Sequence, residues 1–191
     1  VTFSPDGKWV ASGSYSGRAA IWGIAGDPIL AFKANPKNLS AVTFSPDGKL
    51  LATAGLGDDI QIWSLPSGEK VTTLSGHKIA VWPLIFIDSG KQLLSRDYGG
   101  TIFVWDTQTW DQVRAIQPAA PKVRGLCLSP HEEILALSLE GAVQLWEFAN
   151  WQLIAELPIS TKAINGMAFS PDAKTLAIGA ADKKIRLWDI R

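Results

Sequence analysis

The chain has 191 residues, 47% of them hydrophobic and 19% charged, so it is long enough to bury a real core and is neither a disordered tail nor a polyelectrolyte. Eighteen Lys and Arg balance eighteen Asp and Glu, which removes the basic excess that drives phosphate binding and disfavours a nucleic-acid partner. Its single cysteine, Cys127, excludes an internal disulfide framework and any structural zinc site built on several thiolates.

In chain order, the first 24 residues read VTFSPDGKWVASGSYSGRAAIWGI and recur at 42–65 as VTFSPDGKLLATAGLGDDIQIWSL. Weaker copies begin at Leu84, Leu126 and Met167, which divides the chain into copies 1–41, 42–83, 84–125, 126–166 and 167–191. Trp22, Trp63, Trp105, Trp146 and Trp188 close the third strand of each copy, at spacings of 41, 42, 41 and 42 residues. Short apolar alternations separated by turn chemistry predict strands throughout, and almost no helix. In the second copy the predicted strands are 41–44, 50–54, 60–64 and 71–74. The Ser-Pro-Asp-Gly turn between the first two has a mechanism: proline presets φ, aspartate bonds nearby amides, and glycine takes the positive φ of a tight reversal.

Fourth strands are predicted at 29–32, 71–74, 112–116 and 152–157, so five copies of the first three strands share four fourth strands. A small four-stranded sheet cannot bury both faces alone, and radial stacking of neighbours predicts an all-β fold, a β-propeller of four-stranded antiparallel blades whose last blade lacks its fourth strand. The chain opens inside a first strand and stops after a third, and it is expected to be a segment of a longer propeller whose unpaired edges invite self-association. The longest apolar run, 79–87, is broken by Pro83 and too short to span a membrane. No signal-peptide pattern opens the chain, and a reducing, cytoplasmic setting is expected.

The period, the turn and the closing tryptophan resemble the WD-repeat family of β-propellers. Trp-Asp stands at Trp105-Asp106 and Trp188-Asp189, and Ser75-Gly76-His77 occupies the place of the family's Gly-His element. The resemblance covers essentially the whole chain. It implies a hydrogen-bonded tetrad of His, Ser or Thr, Asp and Trp in each blade, and here that tetrad is eroded. The third copy carries His77, Ser95 and Trp105 with Gly99 where the family has Asp; the fifth keeps Asp182 and Trp188 with Ile178 at the Ser/Thr place. Ser12 and Thr53 match in their own copies without the rest. Hydrophobic stacking, more than polar tetrads, is therefore expected to hold the blades together.

The chain carries no metalloprotease, serine-hydrolase, phosphate-loop or EF-hand motif, so no cofactor, metal or catalytic residue is expected. His77 reads as structural, His131 as a solvated turn residue, and the acidic pairs Asp58-Asp59 and Glu132-Glu133 as exposed turn carboxylates. Cys127, between Leu126 and Leu128, reads as a small buried hydrophobe. Trp110 and Trp151 fall at matching turns and read as blade-edge packing. In the family, partners often dock on the narrow face, made by the loops before the first strand and between the second and third. Those places carry onto Tyr15, then Asn38, Ser40 and Leu56, then Ala80, Trp82 and Tyr98. Lys122, Arg124 and Leu139 follow in the fourth copy, and Ala163, Asn165 and Ala181 in the fifth. Trp82 and Tyr98 beside Lys122 and Arg124 have the aromatic and cationic composition of a hot spot, although Trp82 can equally pack on its own blade beside Pro83. The function this implies is a non-catalytic scaffold that presents narrow-face loops to a protein or peptide. The alternative is an enzyme or sugar-binding lectin using the central channel.

Overall fold

Alternating apolar residues between Gly- and Asp-bearing turns fold here as antiparallel meanders. The computed structural model describes residues 1–35, 37–117, 123, 125–131, 133–159 and 163–190, in two compact units, residues 1–117 and 118–191. Unit 1 holds three sheets: β1 (Thr2–Phe3), β2 (Trp9–Gly13), β3 (Arg18–Gly23) and β4 (Pro28–Lys33); β5 (Leu39–Phe44), β6 (Leu50–Gly55), β7 (Ile60–Ser64) and β8 (Lys70–Leu74); β9 (Val81–Ile87), β10 (Gln92–Asp97), β11 (Ile102–Asp106) and β12 (Gln112–Ile116). Unit 2 holds a four-stranded sheet of β13 (Gly125–Leu128), β14 (Ile134–Ser138), β15 (Ala142–Glu147) and β16 (Gln152–Pro158), and a three-stranded one of β17 (Ile164–Phe169), β18 (Thr175–Ala180) and β19 (Ile185–Asp189).

The fold is all-β, with sheets of the four-stranded blade type, and the only helix among the described residues is a single 3-10 turn, Asp88–Gly90. The strands predicted at 60–64 and 112–116 are observed residue for residue; that at 41–44 extends to Leu39–Phe44, and that at 152–157 to Gln152–Pro158. In every four-stranded sheet the third strand shifts register against the fourth at the repeat tryptophan, after Ile21, Ile62, Val104 and Leu145. That bulge accommodates the indole at one strand end without breaking the pairing before it.

The Ser-Pro-Asp-Gly turns join the first two strands at the same end of each sheet as the repeat tryptophan. Ser45 Oγ donates to Asp47 Oδ1 at 2.6 Å and accepts from Leu50 N–H at 2.9 Å, while Asp47 Oδ1 accepts from Lys49 N–H at 3.0 Å. Ser4, Asp6, Lys8 and Trp9 repeat the pattern, as do Ser170, Asp172, Lys174 and Thr175. The serine hydroxyls and the backbone amides hold the Asp6, Asp47 and Asp172 carboxyls below the usual carboxylate range. Gly7 and Gly48 take φ of +70° at these reversals, where a side chain would be strained. The turns also stack from copy to copy in unit 1: a Cβ on Gly90 would lie 3.0 Å from Pro46 Cδ and one on Gly48 3.9 Å from Pro5 Cδ, so these two proline rings rest over the turn of the next sheet.

Within unit 1 the sheets pack face to face with a bulky side against a small one. Phe44, Leu51 and Trp63 of the second sheet pack on Ala11, Ala19 and Ile21 of the first. Ala52, Ala54, Ile60 and Ile62 on the far side of the second receive Leu84, Phe86, Leu93 and Trp105 of the third. Unit 2 repeats the arrangement, with Ala136, Val143 and Leu145 against Leu176, Ile178 and Trp188. Trp22 differs from the buried Trp63 and Trp105: it is 40% exposed, with Phe3 also exposed. The physical reason is positional. Trp63 is covered by the small face and Phe32 of the first sheet, ring centroids 4.4 Å apart, whereas Trp22 is not among the residues packed in that cluster.

Candidate functional site

The third sheet concentrates the polar chemistry of unit 1. Ser95 and Asp97 are two residues apart on β10 and therefore share a face. Trp105 Nε1–H donates to Ser95 Oγ at 2.8 Å, Ser95 Oγ lies 2.8 Å from His77 Nε2, and His77 Nδ1 lies 3.1 Å from Asp97 Oδ2. The carboxylate can only accept, which assigns the proton to Nδ1 and makes Ser95 the donor to Nε2. Phe103 stacks on the imidazole with centroids 4.3 Å apart and meets Trp105 edge-on. The tetrad of the third copy is thus complete, which corrects the reading that it lacks its acidic member. Asp97 supplies the carboxylate from two residues before Gly99. The alternation S-x-D on a strand was the signal that could have found it.

This chain of Ser95, His77 and Asp97 has the connectivity of a nucleophile, base and orienter. The serine oxygen is fully buried and is occupied by the indole N–H, so no substrate reaches it and the array is a packing element. Burial pushes the His77 imidazole below its ordinary value of 6.5, with the Asp97 hydrogen bond opposing. The folded chain therefore takes up this proton less readily than the unfolded chain. Stability from His77 is complete above about pH 6.5 and declines as pH falls from there toward the lowered folded value. Urea midpoints measured between about pH 7.5 and 5.5 are expected to fall for the wild type and to flatten in His77→Asn; equal slopes would overturn the assignment.

The other copies keep fragments of this network. Trp63 Nε1–H donates to Thr53 Oγ1 at 2.9 Å, and Trp146 Nε1–H to Gln144 Oε1 at 3.3 Å. Trp188 Nε1 is the buried side-chain polar atom without a hydrogen-bond partner among the described residues, because Ile178 stands where a hydroxyl would accept it. Asp182 is held by Arg186, Nη2 to Oδ2 at 2.5 Å, and accepts from Lys184 N–H. Cys127 is half-buried on β13, and burial pushes its thiol up to about 11, so it is no reactive nucleophile. Trp110 packs on the core of the second and third sheets, and Trp151 lies against Phe148, centroids 4.9 Å apart.

The candidate narrow-face residues divide by location. Tyr15, Leu56 and Tyr98 are exposed at the tips of turns between second and third strands. Ser40, Trp82 and Asn165, expected in loops, instead sit at the second residue of β5, β9 and β17, where the register against the neighbouring strand shifts. Bulges of this kind re-aim side chains out of the sheet, and Ser40, Trp82 and Asn165 are all exposed. Ser40 Oγ donates to the Val81 carbonyl at 3.0 Å, tying the second sheet to the third. Leu139, expected on this face, is buried. Lys122 and Arg124 lie outside the described residues.

The turn that carries Tyr98 is tied to the chain just before Trp82. Tyr98 N–H donates to the Ala80 carbonyl at 3.0 Å, while Arg96, between the turn and the bulge, donates from Nε and Nη2 to the Trp82 carbonyl at 3.1 and 3.0 Å. The Arg96 guanidinium carbon lies 5.7 Å from the Trp82 ring centroid, a cation–π arrangement. Arg96 is almost wholly buried, and burial pulls its guanidinium below the ordinary value. Trp82 remains 42% exposed and Tyr98 60% exposed. Sequence reasoning missed Arg96; its signal was the polar run Ser95-Arg96-Asp97 ending an otherwise apolar strand. No group of His, Cys, Asp and Glu able to hold a metal ion occurs among the described residues. Nor is any described helix long and apolar enough to cross a membrane.

Comparison with known families gives a model described as WD domain, G-beta repeat, matched over residues 1–23, 26–64, 68–106 and 151–189. The second, third and fourth segments each begin at or just before the fourth strand of one sheet and end at the third strand of the next. A search of curated proteins finds no match to the chain.

Proposed function

The chain belongs to the WD-repeat family, and from that premise we propose that it is a non-catalytic interaction scaffold whose narrow-face loops hold a protein or peptide partner, with Trp82 and Tyr98 as the anchoring side chains. The observation that carries this reading is half-exposed Trp82, braced by buried Arg96, with the exposed Tyr98 turn tied to Ala80, two residues before Trp82. Large aromatic side chains held in place before binding lose little conformational entropy when a partner covers them, and such residues dominate interface energetics. Within unit 1, Tyr15, Ser40 and Leu56 complete the proposed surface. Ser40 contributes through its exposed edge only, its hydroxyl being committed to Val81. A cytoplasmic location fits the single, protonated Cys127.

The brace makes the test clean. Arg96 is held by the main-chain carbonyl of Trp82, so Trp82→Ala leaves it anchored. Peptides selected from a displayed random library by the wild-type chain are expected to bind the Trp82→Ala/Tyr98→Ala variant at least about 30-fold more weakly, the loss of a hot spot of roughly 2 kcal/mol. The variant is expected to stay folded, losing no more than about 1–2 kcal/mol of stability by urea midpoint. Equal binding by a folded double variant would overturn the assignment, as would a library that yields nothing specific to the wild type.

A further inference from the structure

A second concave site opens on the third sheet, away from the Trp82 side of β9. It is a half-open cleft of about 510 Å³ lined by Ile79, Asp97, Gly99, Phe103 and Gln117 with Lys78 at its wall. Its size is that of a site for one large side chain or a small ligand. The cleft exists because of Gly99, the residue that stands where the family pattern has Asp. A Cβ built there would lie 3.2 Å from Asp97 Oδ1 and 3.4 Å from Ile79 Cδ1, so the missing side chain is what leaves the carboxylate facing open space.

The chemistry of the base is one-sided. Asp97 is only 3% exposed; Oδ2 takes the His77 N–H, and Oδ1 takes Thr101 N–H at 3.0 Å, which leaves Oδ1 a further lone pair. Both donors are uncharged, since burial keeps the imidazole neutral. Arg96, the neighbouring residue, leaves the opposite face of β10 toward the Trp82 carbonyl. A buried carboxylate satisfied by neutral donors favours a cation with directional N–H groups. The walls supply the rest: Phe103 an aromatic face, Ile79 an apolar flank for an alkyl stem, Gln117 a second acceptor at the rim.

We propose that this cleft receives one guanidinium-bearing side chain of a partner polypeptide, with Asp97 Oδ1 as the acceptor at its base and Phe103 and Ile79 along its stem. The inference rests on the interaction reading above only in taking its occupant from a polypeptide. Lys78 is the chain's own competing cation, and its removal strengthens the site.

The test uses the full chain and N-acetyl-arginine amide as the probe, read by amide shifts of Lys78, Gly99 and Thr101 and by the Trp105 Nε1–H resonance. Saturable shifts are expected with the arginine probe. The neutral isostere N-acetyl-citrulline amide is expected to bind about tenfold more weakly, the loss of one charge-assisted hydrogen bond. Lys78→Ala is expected to tighten arginine binding about threefold, by removing a nearby like charge. Gly99→Leu, which fills the cleft, is expected to abolish the shifts, and Ala115→Trp on the exposed rim strand does the same without touching the Asp97 network. Equal binding of arginine and citrulline probes overturns the proposal, as does binding that survives both filling variants. Preferential binding of N-acetyl-glutamate amide that Lys78→Ala removes would reassign the cleft to an anion and also overturns it. None of these readouts involves Trp82 or Tyr98, so failure here and failure of the narrow-face reading are separable.

Discussion

Trp63→Ala is expected to lower folding stability by about 3–5 kcal/mol, the cost of emptying a core site of an aromatic side chain, whereas Trp22→Ala is expected to cost no more than about 1–2 kcal/mol, as for ordinary substitutions. The two residues hold the same place in adjacent copies, so propensity, strand position and turn context are matched. What differs is the neighbour. Trp63 is 8% exposed, lies against Phe32 and donates to Thr53, and its loss leaves a cavity and takes the indole donor from the Thr53 hydroxyl. Trp22 is already 40% in solvent, so less apolar surface changes environment when it is removed. Urea unfolding followed by far-UV circular dichroism distinguishes the cases; equal losses would mean that the strand end, and not the covering sheet, supplies the stability.

Asp97→Ala is expected to cost about 2–4 kcal/mol, because it strands the buried His77 Nδ1–H and the half-buried Thr101 N–H, a buried donor costing about 1–3 kcal/mol when left unpaired. The same change at the exposed Asp58 is expected to stay within about 0.5 kcal/mol. The geometry also supplies a rescue. Because a Cβ on Gly99 points to within 3.2 Å of Asp97 Oδ1, Asp97→Ala/Gly99→Asp returns a carboxylate to nearly the vacated place. Gly99 has no left-handed φ to oppose the substitution. At least half of the lost stability is expected to return, again by urea midpoint; a double variant no better than Asp97→Ala would show that β10 cannot exchange its acceptor for one on the turn.

The strand plan was legible because the copies repeat both composition and turn chemistry: Gly48 and Asp47 announce their turn, and the alternation in 60–64 gives its strand residue for residue. Three things were hidden for physical reasons. The exposure of Trp22 depends on what lies beyond its own sheet, which no local pattern encodes. The role of Asp97 was masked by reading the turn in strict register, where position 99 is glycine; the side-chain period of two along β10 puts Asp97 on the same face as Ser95. The bulges that turn Ser40, Trp82 and Asn165 outward depend on cross-strand pairing, a long-range property. Of the candidate surface, the turn position of Tyr98 was readable from the repeat, and the buried cation against the Trp82 ring was not.

The pairing of a bulky face with a small one gives each copy a front and a back. Contacts such as Trp63 on Ala11 and Trp105 on Ala52 are made between equivalent positions of successive copies, so they depend on order and not on address. Duplicating or deleting one whole stretch of about 41 residues conserves every front-to-back contact on either side of the junction. Duplicating half a stretch would set front against front, where two tryptophans compete for one space. The protein can therefore lengthen or shorten in evolution, or in the hands of an engineer, only in steps of one whole copy, while the narrow-face tips vary freely from one copy to the next.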